Sequence, residues 1–292
     1  VSRARIDQLG RYRLVNVVNV SQHCQLWQAY DDARGCAVAI KTLLERFQRD
    51  KEHIGYLKRE FEIVGNLIHE RIIRIYEFGI DRGSPYLAME WFPSPNLKVR
   101  SRQGEEALAP LIPKIVVQTA EALAVFNGRG WVHRDIKPEN FLVTDEGDVK
   151  LIDFSLAKRR KNFFSKLFAG KSKVQGTRSY MSPEQIRGES LDERADLYSL
   201  GCTLFELLAG RPPYTGINTN DLLTKHLRAP IPSLEVVNKN VSPAFAQLIR
   251  QTMAKAASER PKSSKEFFQR VLETPVFRRP VQPASTRERA QT

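Results

Sequence analysis

The chain has 292 residues, 46 Lys and Arg against 33 Asp and Glu, a net charge of +13 and 41% apolar residues, enough for one large two-lobed domain or two medium ones with a proper core. The positive balance suggests acidic partners: nucleotide, phosphoprotein, nucleic acid or anionic membrane. Cys24, Cys36 and Cys202 have no C-x-x-C spacing, which excludes a disulfide frame or zinc site and suits reduced thiols in a cytosolic protein.

No run is read as approaching the ~18 apolar residues of a membrane span. Val1 to Arg5 has no apolar core behind it, so no signal peptide is expected. A soluble, cytoplasmic protein is therefore expected. In chain order, Tyr12 to Tyr30 and Cys36 to Thr42 are β-branched and partly alternating around the turn Asp31 to Gly35, which predicts antiparallel strands. Lys51 to Ile68 places Leu57, Phe61, Val64 and Ile68 at helical spacing. Ile72 to Phe78 and Tyr86 to Met89 return to strand. Past Pro95 the pattern is helical: Pro113 to Phe126, Arg194 to Ala209, Asp221 to Leu227, Ala244 to Ala254 and Lys265 to Leu272. Thr274 to Thr292 carries prolines without an apolar period and reads as a disordered tail.

The most informative stretch is His133-Arg134-Asp135-Ile136-Lys137-Pro138-Glu139-Asn140, followed by Asp153-Phe154-Ser155. The strands Phe141 to Val143 and Val149 to Ile152, around the turn Asp145-Glu146-Gly147, read as a hairpin that keeps the two aspartates in register. This set supplies what phosphoryl transfer requires: a carboxylate near the attacking hydroxyl, oxygen ligands for magnesium, and a cation near the moving phosphate. Placing those charges is most of the catalysis.

The run resembles the catalytic loop of protein kinases, whose pattern is H-R-D-x-K-x-x-N. The resemblance covers roughly residues 10 to 273 and is closest to bacterial, eukaryotic-like serine/threonine kinases. It implies an α+β, two-lobed fold: a small antiparallel β lobe with one helix over 12–90, and a larger, mainly helical lobe over 91–273. Residues 1–11 would be an N-terminal extension and 274–292 the tail. It implies that Asp135 orients the substrate hydroxyl, that Lys137 neutralises the transferring phosphate, and that Asn140 and Asp153 bind magnesium. Val38-Ala39-Ile40-Lys41 looks like the strand whose lysine contacts the ATP phosphates. Glu60 takes the position of that lysine's partner, with Glu62 the alternative about 200° around the helix. Met89 and Glu90 would be the gatekeeper and first hinge residue, and Leu26 and Ala39 join the nucleotide-contacting set.

Two glycine motifs depart from the family. Where kinases cover the phosphates with G-x-G-x-x-G, this chain has Asn19, Ser21 and Cys24, with His23 at the loop tip. The turn can still form if Asn takes positive φ and Ser stays small. Ser155 replaces the glycine after Asp-Phe, and is expected to bias Asp153 toward one placement. Gly176-Thr177 and Tyr180 to Glu184 resemble the substrate-docking segment, with Ser182 for alanine. Asp196 and Arg260 match structural positions, Arg260 pairing with Glu184.

Between Lys158 and Arg178 lie eight basic residues and no acidic one: Lys158, Arg159, Arg160, Lys161, Lys166, Lys171, Lys173 and Arg178. They are either a solvated loop, a set that pairs with phosphate on Ser165, Ser172 or Thr177 together with Arg134, or a docking patch interleaved with Phe163, Phe164, Leu167 and Phe168. The expected function is transfer of the γ-phosphoryl of MgATP to Ser or Thr of a protein substrate. The alternatives are a pseudokinase acting as an interaction module, supported by the two degenerate glycine motifs, and a small-molecule phosphotransferase, opposed by the docking segment. An acidic protein, a membrane or nucleic acid are the partners the basic patch could attract, and the oligomeric state is left open.

Overall fold

A computed structural model describes residues 8–102, 108–160 and 176–281, which fall into two units. The first joins Val1–Pro93 with Ile152–Ser155, and the second joins Ser94–Leu151 with Leu156–Thr292.

In the first unit, β-branched and aromatic residues build an antiparallel sheet of β1 (Gln8–Leu9), β2 (Tyr12–Val20), β3 (Cys24–Asp31), β4 (Cys36–Leu43), β5 (Ile75–Asp81) and β6 (Ser84–Glu90). Their order in space is β1-β2-β3-β4-β6-β5. Leu9, Tyr12, Ala29, Val38, Ile40, Tyr86 and Ala88 form its packed face. β2 slips register between Leu14 and Asn16 and again between Val17 and Asn19. Two irregularities in one strand increase twist and bend it, and they fall just before the expected phosphate loop. Gln8 and Leu9 pair with Arg13 and Tyr12, so the expected extension already belongs to the sheet from Gln8.

Helix α1 (Lys51–Val64) starts on Asp50, whose carboxylate accepts from the N–H of Glu52 and His53. It ends earlier than the periodicity predicted. The Gly65 N–H closes on the Phe61 carbonyl, and Ile68 is left exposed. Gly65-Asn66 is a poor helix pair, so apolar spacing alone carried the prediction too far. The buried residues of α1 are Leu57, Glu60, Ile63 and Val64, one stripe that includes a carboxylate.

The second unit begins with α2 (Leu97–Arg100) and α3 (Ile112–Gly128). The stretch Ala109–Gly128 is long and apolar enough to cross a membrane by length and composition, which amends the expectation that no run comes close. Ile115, Val116, Ala120, Leu123 and Phe126 are fully enclosed, as in the core helix of a folded unit. Short strands follow: β7 (Trp131–Val132), the hairpin β8 (Phe141–Val143) with β9 (Val149–Leu151), and β10 (Lys158–Arg159) against β7. Then come α4 (Pro183–Ile186), α5 (Glu193–Ala209), α6 (Thr219–Arg228), α7 (Leu234–Val237), α8 (Pro243–Thr252) and α9 (Ser264–Glu273). α5 is buried continuously from Ala195 to Leu208, the mark of a helix surrounded by others.

The tail expected from Thr274 is structured as far as the description reaches. Phe277 bridges to Val241, Ser242 donates its N–H to Val276 O, and the Arg278 N–H bonds Asn240 O at 2.7 Å. Buried Val276 explains why this proline-containing segment docks: one apolar side chain and backbone bonds fix it without any helical period. Residues 282–292, the rest of that expectation, lie outside the described residues.

Candidate functional site

In the first unit, antiparallel pairing of β4 between β3 and β6 sets Lys41 opposite Leu26 and Leu87. Its Nζ lies 2.9 Å from Glu60 Oε2 and 3.6 Å from Asp153 Oδ1. Glu60 is 2% exposed and also accepts the Phe154 N–H at 3.3 Å through Oε1. Burial works against the Lys41 charge, but the Asp153 and Glu60 carboxylates outweigh it and push its pKa up. The two carboxylates therefore favour the ammonium form. Glu62 points elsewhere, exposed and 3.9 Å from Lys58, so of the two carboxylates the fold selects Glu60.

Asp153 takes φ +63°, a left-handed conformation unusual for a residue with a side chain. Three anchors hold it. Phe154 is fully buried, its N–H is held by Glu60, and the Ser155 hydroxyl donates to Asp153 Oδ1 at 2.7 Å.

The loop at Asn19, Ser21 and Cys24 closes without glycine. None of the three has positive φ, so the turn forms without drawing on the tolerance of Asn for that conformation. Asn19 pairs with Leu26. The Ser21 hydroxyl accepts from the Cys24 N–H and donates to the Cys24 carbonyl, both at 3.0 Å, while the Ser21 N–H bonds the same carbonyl at 2.8 Å. His23, at the tip, packs tilted against both Phe47 and His53 with centroids 4.9 Å away, and those two rings stack on each other at 4.4 Å. Burial pushes the Cys24 thiol pKa up, against the pull of Lys41. Ala39 and Met89 face each other across β4 and β6 and are buried, and the Glu90 N–H is held by Arg74 O at 2.8 Å.

In the second unit, Asp196 in the first turn of α5 sets the loop 133–140. Its carboxylate accepts the N–H of His133 at 2.7 Å, the N–H of Arg134 at 2.8 Å and the Asn127 amide at 2.9 Å. Those bonds hold Arg134 at φ +72°. Asp135 follows, with Lys137 Nζ 2.6 Å from its Oδ2. The Asn140 amide nitrogen donates to the Asp135 carbonyl at 2.7 Å, so its oxygen is the end left to ligate a cation.

Thr177 completes this group, a role the sequence did not assign. Its N–H and its hydroxyl both donate to Asp135 Oδ1, at 2.8 and 3.0 Å, and its oxygen accepts from Lys137 Nζ at 2.8 Å. The preceding Gly176 makes the approach possible. It has φ +124°, and a Cβ there would meet the Arg134 carbonyl at 2.9 Å. Gln185, also unassigned, bonds that same carbonyl at 2.9 Å and forms a reciprocal capping box with Ser182 at the start of α4. Serine at 182 therefore has a local cause. Glu184 and Arg260 form a buried bidentate pair at 2.6 and 2.9 Å.

Lys158 to Arg160 and Arg178 are described; Lys161, Ser165, Lys166, Lys171, Ser172 and Lys173, with Phe163, Phe164, Leu167 and Phe168, lie outside the described residues. Arg159 covers the Trp131 ring and Arg160 pairs with Glu193 at 2.8 Å.

The donor sets fit what phosphoryl transfer would ask of them. Asn140 and Asp153 offer hard oxygen ligands of the type magnesium takes beside substrate phosphates. Among the described residues no cluster of three or more His, Cys, Asp or Glu could hold a metal by itself.

A family model described as a protein kinase domain matches residues 22–277. The chain is 33% identical over 262 residues to a probable serine/threonine-protein kinase of Streptomyces coelicolor, covering 88% of this chain and 39% of that protein. It is 31% identical over 290 residues to the serine/threonine-protein kinase PknA of Mycobacterium tuberculosis, covering 97% of this chain and 66% of that one. The chain thus spans between about a third and two thirds of the length of such relatives. The crystal structure of the Mycobacterium tuberculosis PknI kinase domain superposes with a TM-score of 0.69 at 23% identity over 93% of this chain and 99% of that one, a likeness of fold.

Proposed function

We propose that this chain, which belongs to the protein kinase family, transfers the γ-phosphoryl group of MgATP to a serine or threonine hydroxyl of a protein substrate. The observation that carries this reading is the Asp135 carboxylate, fixed through both oxygens by Lys137 and Thr177. A carboxylate so held can accept a hydrogen bond from an incoming hydroxyl and orient it, while Lys137 offsets charge on the phosphoryl group. Lys41, kept cationic and aimed by Glu60, would contact the nucleotide phosphates. Asn140 and Asp153 would each serve as a magnesium ligand, the metal supplying charge neutralisation at the phosphate oxygens when bound. Asn19, Ser21, Cys24, Leu26, Ala39, Met89 and Glu90 would contact the nucleotide.

The relatives named as serine/threonine kinases support the acceptor class. No observation favours the pseudokinase reading, since both loops that lost glycine are closed by serine hydrogen bonds. A protein substrate suits the structured segment Gly176 to Ile186. The cytoplasm, where ATP is supplied, is the proposed location, and the three thiols are free.

The test is transfer of labelled phosphate from MgATP to the chain itself and to a generic basic protein, beside Asp135→Asn. Label that appears with the native chain and vanishes in the variant supports the reading. Absence of label at millimolar ATP, with magnesium or manganese, overturns it.

A further inference from the structure

Ser155 is the departure from the family pattern whose side chain touches a proposed metal ligand. Its hydroxyl donates to Asp153 Oδ1 at 2.7 Å, and its backbone N–H reaches the same oxygen at 3.4 Å. The second contact is the Asx-turn geometry that any residue two positions after an aspartate can make, glycine included. The first needs a hydroxyl. It is the shorter of the two and falls in the range of charge-assisted O–H···O⁻ bonds, whereas 3.4 Å is a weak backbone contact. Lys41 Nζ approaches the same oxygen at 3.6 Å. Oδ1 is thus engaged by the chain's own donors, one of which glycine could not supply.

The backbone explains why that donor matters. Asp153 sits at φ +63°, which a residue with a side chain occupies only when its surroundings over-determine it. Glu60 and the buried Phe154 fix the peptide that follows. Neither fixes the Asp153 side chain, which is 36% exposed. A short, charge-assisted bond narrows the staggered settings open to a partly exposed carboxylate. The Ser155 hydroxyl holds one. Ser155 itself has no positive φ, so serine fits this backbone without strain, and a rearrangement of the turn that needed positive φ at 155 would be open to glycine and resisted by serine.

We infer that Ser155 is a positioning residue: its hydroxyl locks the Asp153 carboxylate in the setting that receives a divalent cation, so this chain holds its metal ligand pre-formed before nucleotide arrives. The inference rests on the kinase reading above and deepens it. Ser155 acts through Asp153 and not by contact with nucleotide or substrate. Pre-forming a ligand removes a rearrangement from the binding step, so the effect belongs to metal affinity.

The experiment titrates the 292-residue chain with Mn²⁺, followed by electron paramagnetic resonance of the free ion, with a non-hydrolysable ATP analogue present. Metal-free affinity for the analogue is measured in parallel by calorimetry. Ser155→Ala is expected to lose about tenfold in Mn²⁺ affinity, the factor that accompanies loss of one charge-assisted hydrogen bond, with metal-free analogue affinity unchanged. Ser155→Thr, which keeps the hydroxyl, is expected to stay near the native value and guards against a folding artefact. Native Mn²⁺ affinity in Ser155→Ala, or equal loss in both variants, overturns the positioning role and leaves the kinase reading standing. A native chain that binds neither Mn²⁺ nor the analogue overturns both.

Discussion

Thr177 Oγ lies between Asp135 and Lys137, donating to the carboxylate at 3.0 Å and accepting from the ammonium at 2.8 Å across 40 residues of chain. A residue that sequence alone offers as a phosphorylation site is here part of the group that fixes the proposed base. Removing only the hydroxyl, with Thr177→Val, is expected to lower kcat about ten- to hundredfold, the range for a group that orients a catalytic residue, with Thr177→Ser near native. Label transfer kinetics read the difference. Autophosphate mapped to Thr177 in the native chain would contradict this placement.

The Lys41–Glu60 pair gives a sharp comparison, because the helix carries two candidate carboxylates. Glu60→Gln leaves the buried ammonium beside a neutral amide and loosens the Phe154 N–H. A fall of about hundredfold in kcat/KM is expected, as for loss of a preorganised charge. Glu62→Gln should stay within twofold or so of native, since exposed pairs contribute about 0–1 kcal/mol. Equal effects in both would reverse the assignment.

His23 closes the loop tip onto Phe47 and His53. An aromatic contact of this kind contributes about 1 kcal/mol, so His23→Ala should raise KM for ATP about fivefold with little change in kcat. His23→Phe should preserve the ring contacts and the native KM. Steady-state kinetics against ATP separate the two.

Arg260 and Glu184 form a buried pair, and Arg260 also donates to the carbonyls of Ala254, Arg194 and Lys255. Deleting one partner strands a buried charge, so Arg260→Ala is expected to lose about 3–5 kcal/mol by denaturant unfolding. The double variant Arg260→Met with Glu184→Leu should recover part of that loss. If it is no more stable than Arg260→Ala, the penalty lies in the carbonyl bonds rather than in the unpaired charge.

His226 is fully buried, with Tyr198 Oη 2.9 Å from its Nδ1. Burial, with the neighbouring Lys255 cation adding to it, pushes its pKa down from 6.5 to about 4. Between those values the unfolded chain takes up a proton that the folded chain refuses, so stability falls as pH drops from about 6.5 toward 4. The full effect is up to about 3 kcal/mol. His226→Phe should flatten that part of the stability profile, and an unchanged slope would reject the assignment.

Much of this protein follows from residues close in sequence. The loop from His133 to Asn140, the hairpin that follows it, and the strand that carries Lys41 were readable because period-2 patterns and short turns set local geometry by themselves. The same locality misled at Val64, where apolar spacing ran past the real helix end, and at Thr274, where a lack of periodicity concealed a docked segment. The sequence also named two acids on α1 without choosing between them. Tertiary packing made that choice by turning the Leu57–Glu60 stripe inward. It also brought Thr177 to Asp135, bent Ser155 back onto Asp153 and closed the loop from Asn19 to Cys24 without a left-handed residue. None of these is encoded in spacing, because each depends on where a distant backbone stops or on which rotamer a neighbour leaves open. Residue identity supplied the chemical groups; only the packing of the chain decided which of them touch.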